Sequence, residues 1–308
     1  MSRYARPQAF RAALEERIRS HTRVTGRSHN RFRLRLVMDR FAARVVQVFG
    51  DHVVLKGGMV LELRLQGARS TRDLDLHLTA PSAETLAHLQ EAGRRDLGDH
   101  LTFEVVPDPR HPTIDAEGMR YEGLRFRVQA RLGGLRYSDP FGVDAAFAEP
   151  MTGDPDEIRG SDFLGFAGID APSLRVYPVE THIAEKLHAY TMPRSRPNSR
   201  VKDLPDIALL ARARALDASE LRYALRQTFD HRGIHPVPSQ VPPPAEAWRV
   251  PYRRMAEQDR LPWSDLDAVH QAVASFLDPV LGGGRGRWTV ETWSWDDEGD
   301  RARHDGTA

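Results

Sequence analysis

Cysteine is missing from all 308 residues, so disulfides and thiolate metal sites are excluded. No apolar run approaches the ~18–20 residues a membrane span requires. The opening stretch MSRYARPQAFRAALEERIRS lacks the continuous apolar core of a secretion signal, and a cytoplasmic, membrane-free protein is expected. Lysine is absent from the first fifty residues, whose twelve arginines face only Glu15, Glu16 and Asp39. That local excess of +9 sits inside a chain whose formal net charge is +1. Such a segment attracts phosphate backbones through counterion release. It equally describes helices whose arginine stems cover apolar surface while their heads face water. No His-x-x-x-His pair with a carboxylate partner occurs among the histidines, and no Gly-x-Ser-x-Gly, so neither a zinc site nor a serine nucleophile elbow is offered.

What is present reads as an ordinary soluble composition, 40% hydrophobic and 28% charged, long enough for two domains or one large one. Apolar spacing predicts helices over 10–21 and 31–50, then a short strand, HVVLK. GGMVLELRLQG follows as a turn into a helix ending at Gly67. TRDLDLHLT alternates as a strand with one buried face, SAETLAHLQEAGRRDLG is helical, and HLTFEVVPD, GLRFRVQARLG and FGVDAAFAE are further strands. Pro and Gly recur between 150 and 175, which places a domain boundary at 165. Beyond it, 178–192, 204–216, 217–229 and 264–281 read as helices, with a Pro-rich extended connector over 235–248. From Gly282 the chain turns Gly/Arg-rich and then acidic, and disorder is expected over 282–308.

Chemistry concentrates in LKGGMVLELRLQGARSTRDLDLHL, from Leu55 to Leu78. On a strand, Asp73 and Asp75 project together, while Leu74 and Leu76 point to the core. Paired carboxylates suit a hard cation such as Mg²⁺, which takes its remaining ligands from water and substrate phosphates. Phosphoryl or nucleotidyl transfer is the matching reaction. Alone, Asp-x-Asp on a strand also describes a solvated edge. Gly57 and Gly58 follow a strand and open a helix, so backbone N–H groups and the helix dipole aim at a bound anion, with Lys56 as an added point charge. The same glycines also serve any tight strand-to-helix turn. A third metal carboxylate is sought in Asp144, flanked by Val143, Ala145 and Phe147, with Glu104 as its rival.

The order VLKGGMVLELRL…RSTRDLDL resembles the AbiEii/AbiGii nucleotidyltransferase-like toxins of type IV-style toxin–antitoxin and phage-defence systems, the mycobacterial MenT toxins among them. The likeness runs on through EKLHAY, SRVKDLPDIALL and TFDHRGIHPVP, across roughly residues 35–280 in register. It implies an α+β chain: a polymerase β-like nucleotidyltransferase domain with a basic helical N-terminus over 1–165, then a mainly helical domain over 166–281. It implies a toxin that uses Mg²⁺ or Mn²⁺ to transfer nucleotides from NTP to an RNA acceptor, the tRNA 3′ end, with an antitoxin as partner. A protein or small-molecule hydroxyl as acceptor, or a non-catalytic nucleotide- or antitoxin-binding module, are the alternatives. The family's functional lysine falls on Lys186, just off the apolar stripe Ile183, Leu187 and Tyr190. Its basic–acidic motif falls on Arg200, Lys202, Asp203 and Asp206, with Asp203 favoured over Asp206 for a site role. Without the resemblance, Lys186 reads as a solvated helix residue and Asp203 as an N-cap. The expected catalytic set is therefore Asp73, Asp75, Lys186 and Asp203. The phosphate set is Lys56, Gly57, Gly58, Arg72 and Lys202, and the metal set is Asp73, Asp75 and Asp144. One departure matters: the wider superfamily usually has Gly-Ser where this chain has Gly57-Gly58, which leaves backbone amides to do the hydroxyl's work.

Overall fold

Two arginine-rich helices open the chain. In the computed structural model, which describes residues 3–65, 71–79, 83–114, 123–147, 149–194 and 200–296, α1 (Pro7–Thr25) has proline in its first turn and buries Phe10, Leu14 and Ile18. It stops at Gly26 in the left-handed conformation that glycine adopts without strain. α2 (His29–Phe49) is buried almost continuously from Leu34 to Val45. The strand β1 (Val53–Lys56), buried throughout, leads directly into α3 (Gly57–Arg64). Gly67, the expected end of that helix, lies outside the described residues.

There follow β2 (Asp73–Leu78), α4 (Thr85–Arg94), β3 (Leu101–Pro107), β4 (Gly123–Leu132), β5 (Leu135–Arg136), β6 (Phe141–Phe147), β7 (Asp156–Arg159) and β8 (Ser173–Val176). They form one mixed sheet in the order β3-β4-β6-β2-β1-β8-β7, with β5 on β4. The β2–β6 and β1–β8 pairs are parallel, while β1–β2, β4–β6 and β3–β4 are antiparallel. Leu55, Leu74, Leu76 and Val143 are buried in one core with Phe10, Met38 and Phe41 of the first two helices. The period of two then sends Lys56, Asp73, Asp75 and Asp144 to the other face. One sheet face holds the fold; the opposite face is left for chemistry.

The Pro/Gly-rich stretch contains β7 and β8, and β8 pairs with β1 through Leu55 and Val176. The first core runs to Val176, and the second is built from Val179 onward together with Leu61 of α3. These strands are four residues each, too short for alternation to show between prolines and glycines.

The second unit comprises α5 (Val179–Thr191), α6 (Asp203–Leu210), β9 (Leu216–Asp217), α7 (Ala218–Arg232), α8 (Arg249–Asp259), α9 (Leu266–Leu281), β10 (Arg287–Thr289) and β11 (Ser294–Asp296). Asp217 caps α7 by accepting from the Ser219 and Glu220 N–H groups, and Asp265 caps α9 at Ala268. α6 ends six residues earlier than expected. The Trp288 indole N–H donates to the Ala211 carbonyl at 2.8 Å, while Arg212 and Ala213 close tighter turns onto Leu209 and Leu210. α8, unread in the sequence, buries only Tyr252 and Ala256, so its periodicity is faint. Within the stretch from 282, where the sequence suggests disorder, β10 joins β9 and β11 in a three-stranded sheet, and Trp288 is fully buried against Phe276. Residues 297–308 lie outside the described residues. Among the described residues, no helix is long and apolar enough to cross a membrane.

Candidate active site

Register fixes what meets on the open sheet face. Asp75 stands opposite Lys56 of β1 on one side and Asp144 of β6 on the other, and Asp144 stands opposite Arg125 of β4. Directly opposed residues on neighbouring strands share a face, so Arg125, Asp144, Asp75 and Lys56 form one row. In the next row, Arg127, Gly142 and Asp73 lie side by side.

Two glycines make room for the two aspartates. Gly57 has φ +71, the left-handed region where an L-residue is strained. A Cβ there would stand 2.5 Å from the Asp75 Cγ and overlap its Oδ2. At Gly142 a Cβ would come within 2.6 Å of the Asp73 Oδ1. Each carboxylate thus leans into space a missing side chain leaves. At the head of α3, Gly57 and Gly58 also present the unbonded first-turn N–H groups of that helix.

Burial, and next the Asp144 carboxylate, push the Asp75 carboxyl above its ordinary range; Lys56 and Lys186 act in the opposite direction. A cation between Asp73 and Asp75 relieves that penalty, and Mg²⁺ commonly uses only one or two carboxylates beside water and phosphates. The Asp73–Asp75 pair fits such an ion. Asp144, the expected third ligand, is also paired with an arginine. Arg125 donates to both Asp144 oxygens, Nε to Oδ1 and Nη2 to Oδ2, each at 2.7 Å. Among the described residues, no three His, Asp or Glu side chains gather as a ready metal cage. Glu104 lies on β3, two strands beyond β6, paired with Arg131 at 3.1 Å, so of the two candidates only Asp144 adjoins Asp75.

The helical unit supplies the other wall. Lys186 on α5 contacts Asp206 at 2.7 Å and Asp203 at 3.3 Å, both fully buried. Asp203 therefore does not cap its helix: α6 shows no side-chain cap bond, and the carboxylate is turned onto Lys186. Asp206, the less favoured of the two in the sequence, is the nearer partner. Lys202 lies in the 3-10 turn Arg200–Lys202 just before them, and Arg200 approaches Asp203 at 3.6 Å. Arg72, exposed, precedes Asp73, and its carbonyl accepts from the Gly142 N–H.

Lys56, expected as a point charge beside the glycines, is held by carboxylates. Its ammonium is bonded to Glu149, and to Glu185 at 3.0 Å. Arg232 of α7 closes the same network, reaching Glu149 at 3.0 Å and Glu185 at 3.2 Å. Against the cost of burial, Lys56 and Arg232 hold the Glu149 carboxyl down to about 2, whereas burial and the Glu149 charge push Glu185 up. These four residues come from β1, the segment after β6, α5 and α7, and sequence reading missed Glu149, Glu185, Arg232 and Arg125. One composition signal was available. The 44 basic residues include only three lysines, Lys56, Lys186 and Lys202, and all three stand here.

Part of the basic N-terminal segment's charge is met within the fold. Arg40 and Arg44 are buried on Asp99 at 2.8 and 2.5 Å, Arg33 pairs with Glu15, Arg31 with Asp259, and Arg35 approaches Asp39 and Glu62.

A family model described as the nucleotidyl transferase AbiEii toxin of type IV toxin–antitoxin systems matches residues 40–278. Among solved structures, the chain is similar to MenT4, a nucleotidyltransferase toxin from Mycobacterium tuberculosis, at 19% identity with a TM-score of 0.58 over 96% of both chains. JHP933 from Helicobacter pylori aligns at 15% identity and a TM-score of 0.44, over 82% of this chain and 95% of that one. The first likeness is one of fold, and the second is weaker. A search of curated proteins finds no match.

Proposed function

We propose a reaction from one premise: this chain belongs to the AbiEii nucleotidyltransferase toxin family. The reaction is transfer of a nucleotidyl group from NTP to an RNA acceptor, the tRNA 3′ end, which blocks translation. The acceptor hydroxyl oxygen forms a bond to the α-phosphorus, the α–β bridging P–O bond breaks, and pyrophosphate leaves. Asp144 stands beside Asp75 with a lone pair still open on each oxygen, placed to take the hydroxyl proton.

The Asp73–Asp75 pair holds a divalent ion, Mg²⁺ or Mn²⁺, whose charge offsets that of the reacting phosphates. Gly57 and Gly58 N–H groups receive the triphosphate at the start of α3. Lys186, set by Asp203 and Asp206, faces Asp75 from the helical unit, and Lys202 and Arg72 line the approach. Lys56 serves from behind, lowering the cost of the Asp75 charge while Glu149, Glu185 and Arg232 hold it. In the cell the enzyme is cytoplasmic and silenced by an antitoxin.

The observation that carries this reading is the pair of glycines, 57 and 142, into whose missing side chains Asp75 and Asp73 lean. The test is incubation with labelled NTPs and total cell extract, followed by separation of RNA, protein and small molecules. Label is expected in the tRNA fraction with the wild type and not with Asp75→Asn. Label in protein or small molecules instead would move the acceptor, and equal labelling by the variant would remove Asp75 from its role.

A further inference from the structure

In-line displacement separates the two ends of the reaction, because the acceptor oxygen enters opposite the departing pyrophosphate. The sheet order places those ends. On one side of β2 lies β1 with the Gly57–Gly58 turn; on the other lie β6 and then β4. With the triphosphate over the glycines and near Lys186, the acceptor crosses β6 and β4.

The side chains along that path are fixed by register. Arg125 and Arg127 project on the carboxylate face, opposite Asp144 and Gly142 respectively. The two arginines differ. Arg125 is committed to Asp144 through both its bonds. Arg127 is exposed, and among the described residues its guanidinium enters no ion pair. Only Gly142, which has no side chain, stands between Arg127 and Asp73. Two strand spacings of about 4.8 Å put the two backbones about 10 Å apart. Arg72, tied to Gly142 through its carbonyl, adds a second exposed cation at the same strand ends. A solvated arginine on a sheet face is ordinary. One left unpaired across an open glycine slot from a reactive carboxylate is placed for an anion bound between them.

We infer that Arg127 binds a phosphate of the acceptor, so that the acceptor is a polynucleotide entering over β6 and β4 with its terminal hydroxyl at Asp73 and Asp75. The inference rests on the nucleotidyl-transfer reading above. A cationic small molecule such as an aminoglycoside gains nothing from Arg127, and a protein hydroxyl brings no phosphate for it.

The test uses the full chain with Arg127→Ala, Arg127→Glu and Arg127→Lys; thermal unfolding should be unchanged because the side chain is exposed. Steady-state transfer to total tRNA should show KM for RNA raised about 10-fold in Arg127→Ala, further in Arg127→Glu, and largely restored in Arg127→Lys, with KM for NTP unchanged. Direct binding of total tRNA across a salt series, without nucleotide, should lose about one unit of log–log slope in Arg127→Glu. An unchanged RNA KM and salt slope in Arg127→Glu overturns the inference, as does an equal rise in KM for NTP, which would put Arg127 on the triphosphate. If the wild type transfers nothing to RNA but binds it with a slope that Arg127→Glu reduces, the transfer reading fails and the acceptor surface stands.

Discussion

Gly57→Ala isolates the geometric premise of the site. The substitution adds one methyl group and carries two separable costs. The first is conformational: φ +71 is left-handed, and an L-residue there loses about 1–2 kcal/mol. The second is steric. The new Cβ would stand 2.5 Å from the Asp75 Cγ, where an ordinary carbon contact is about 3.5–4 Å, so the carboxylate must retreat by about 1 Å. A 1 Å misplacement at a reacting centre costs about 10²-fold in rate. Gly283→Ala is the matched control, since Gly283 has φ +90 with nothing within 4 Å of an added Cβ. Urea unfolding should show both variants destabilised by a similar 1–2 kcal/mol. Nucleotide-transfer kcat should fall about 10²-fold only in Gly57→Ala. A Gly57→Ala enzyme within threefold of wild type would refute the claim that Asp75 must occupy the space Gly57 leaves.

Four further outcomes follow from the same contacts. Asp75→Asn should cut transfer by about 10³-fold or more yet raise the melting temperature at neutral pH. A carboxyl whose folded pKa is raised costs stability above that pKa, and the cost is relieved as pH falls through it; the amide carries none. For the same reason the stability of the metal-free protein should rise as pH falls through the raised Asp75 pKa, and Asp144→Asn, removing a charge that raises Asp75, should move that step down in a denaturant titration across pH. Glu149→Gln removes one partner from a buried network and should cost about 3–5 kcal/mol by denaturant titration. In the wild type, Glu149's contribution should be full above the ordinary carboxylate range and fade as pH falls toward about 2. Lys186→Arg keeps the charge but replaces a compact ammonium, shared between Asp203 and Asp206, with a planar fork, and kcat should fall at least 10-fold.

The parts of the site that a reader of the sequence finds are those whose logic is local. Asp73-Leu74-Asp75 declares its face through period two, Gly57-Gly58 declares a strand-to-helix turn, and Asp144 betrays itself as a charge among apolar neighbours. The acceptor-side arginines and the Lys56 network are different. Arg125 meets Asp144 across a strand pair, and Glu149, Glu185 and Arg232 converge from elements up to 83 residues apart. No short-range pattern encodes such meetings. The same limit explains the N-terminal segment: its arginines look like a basic surface until Asp99, Asp259 and Glu62 arrive from elsewhere in the chain. β7 and β8 escaped notice because pairing, rather than their own four residues, makes them strands. Asp203 shows how a local signal can mislead. Its place at a helix start suits a cap, yet Lys186 offers it a better partner.

The central claim is that Asp73 and Asp75 together hold a divalent ion that enables attack at the α-phosphorus. It is tested most directly by supplying the folded protein with total tRNA and NTP labelled at either the α- or the γ-phosphate. With Mg²⁺, the α-label should enter RNA and the γ-label should leave as pyrophosphate. EDTA, or Asp73→Asn and Asp75→Asn in proteins that still unfold cooperatively, should stop both. The γ-label appearing on the acceptor, or transfer undiminished in the two variants, would contradict the account.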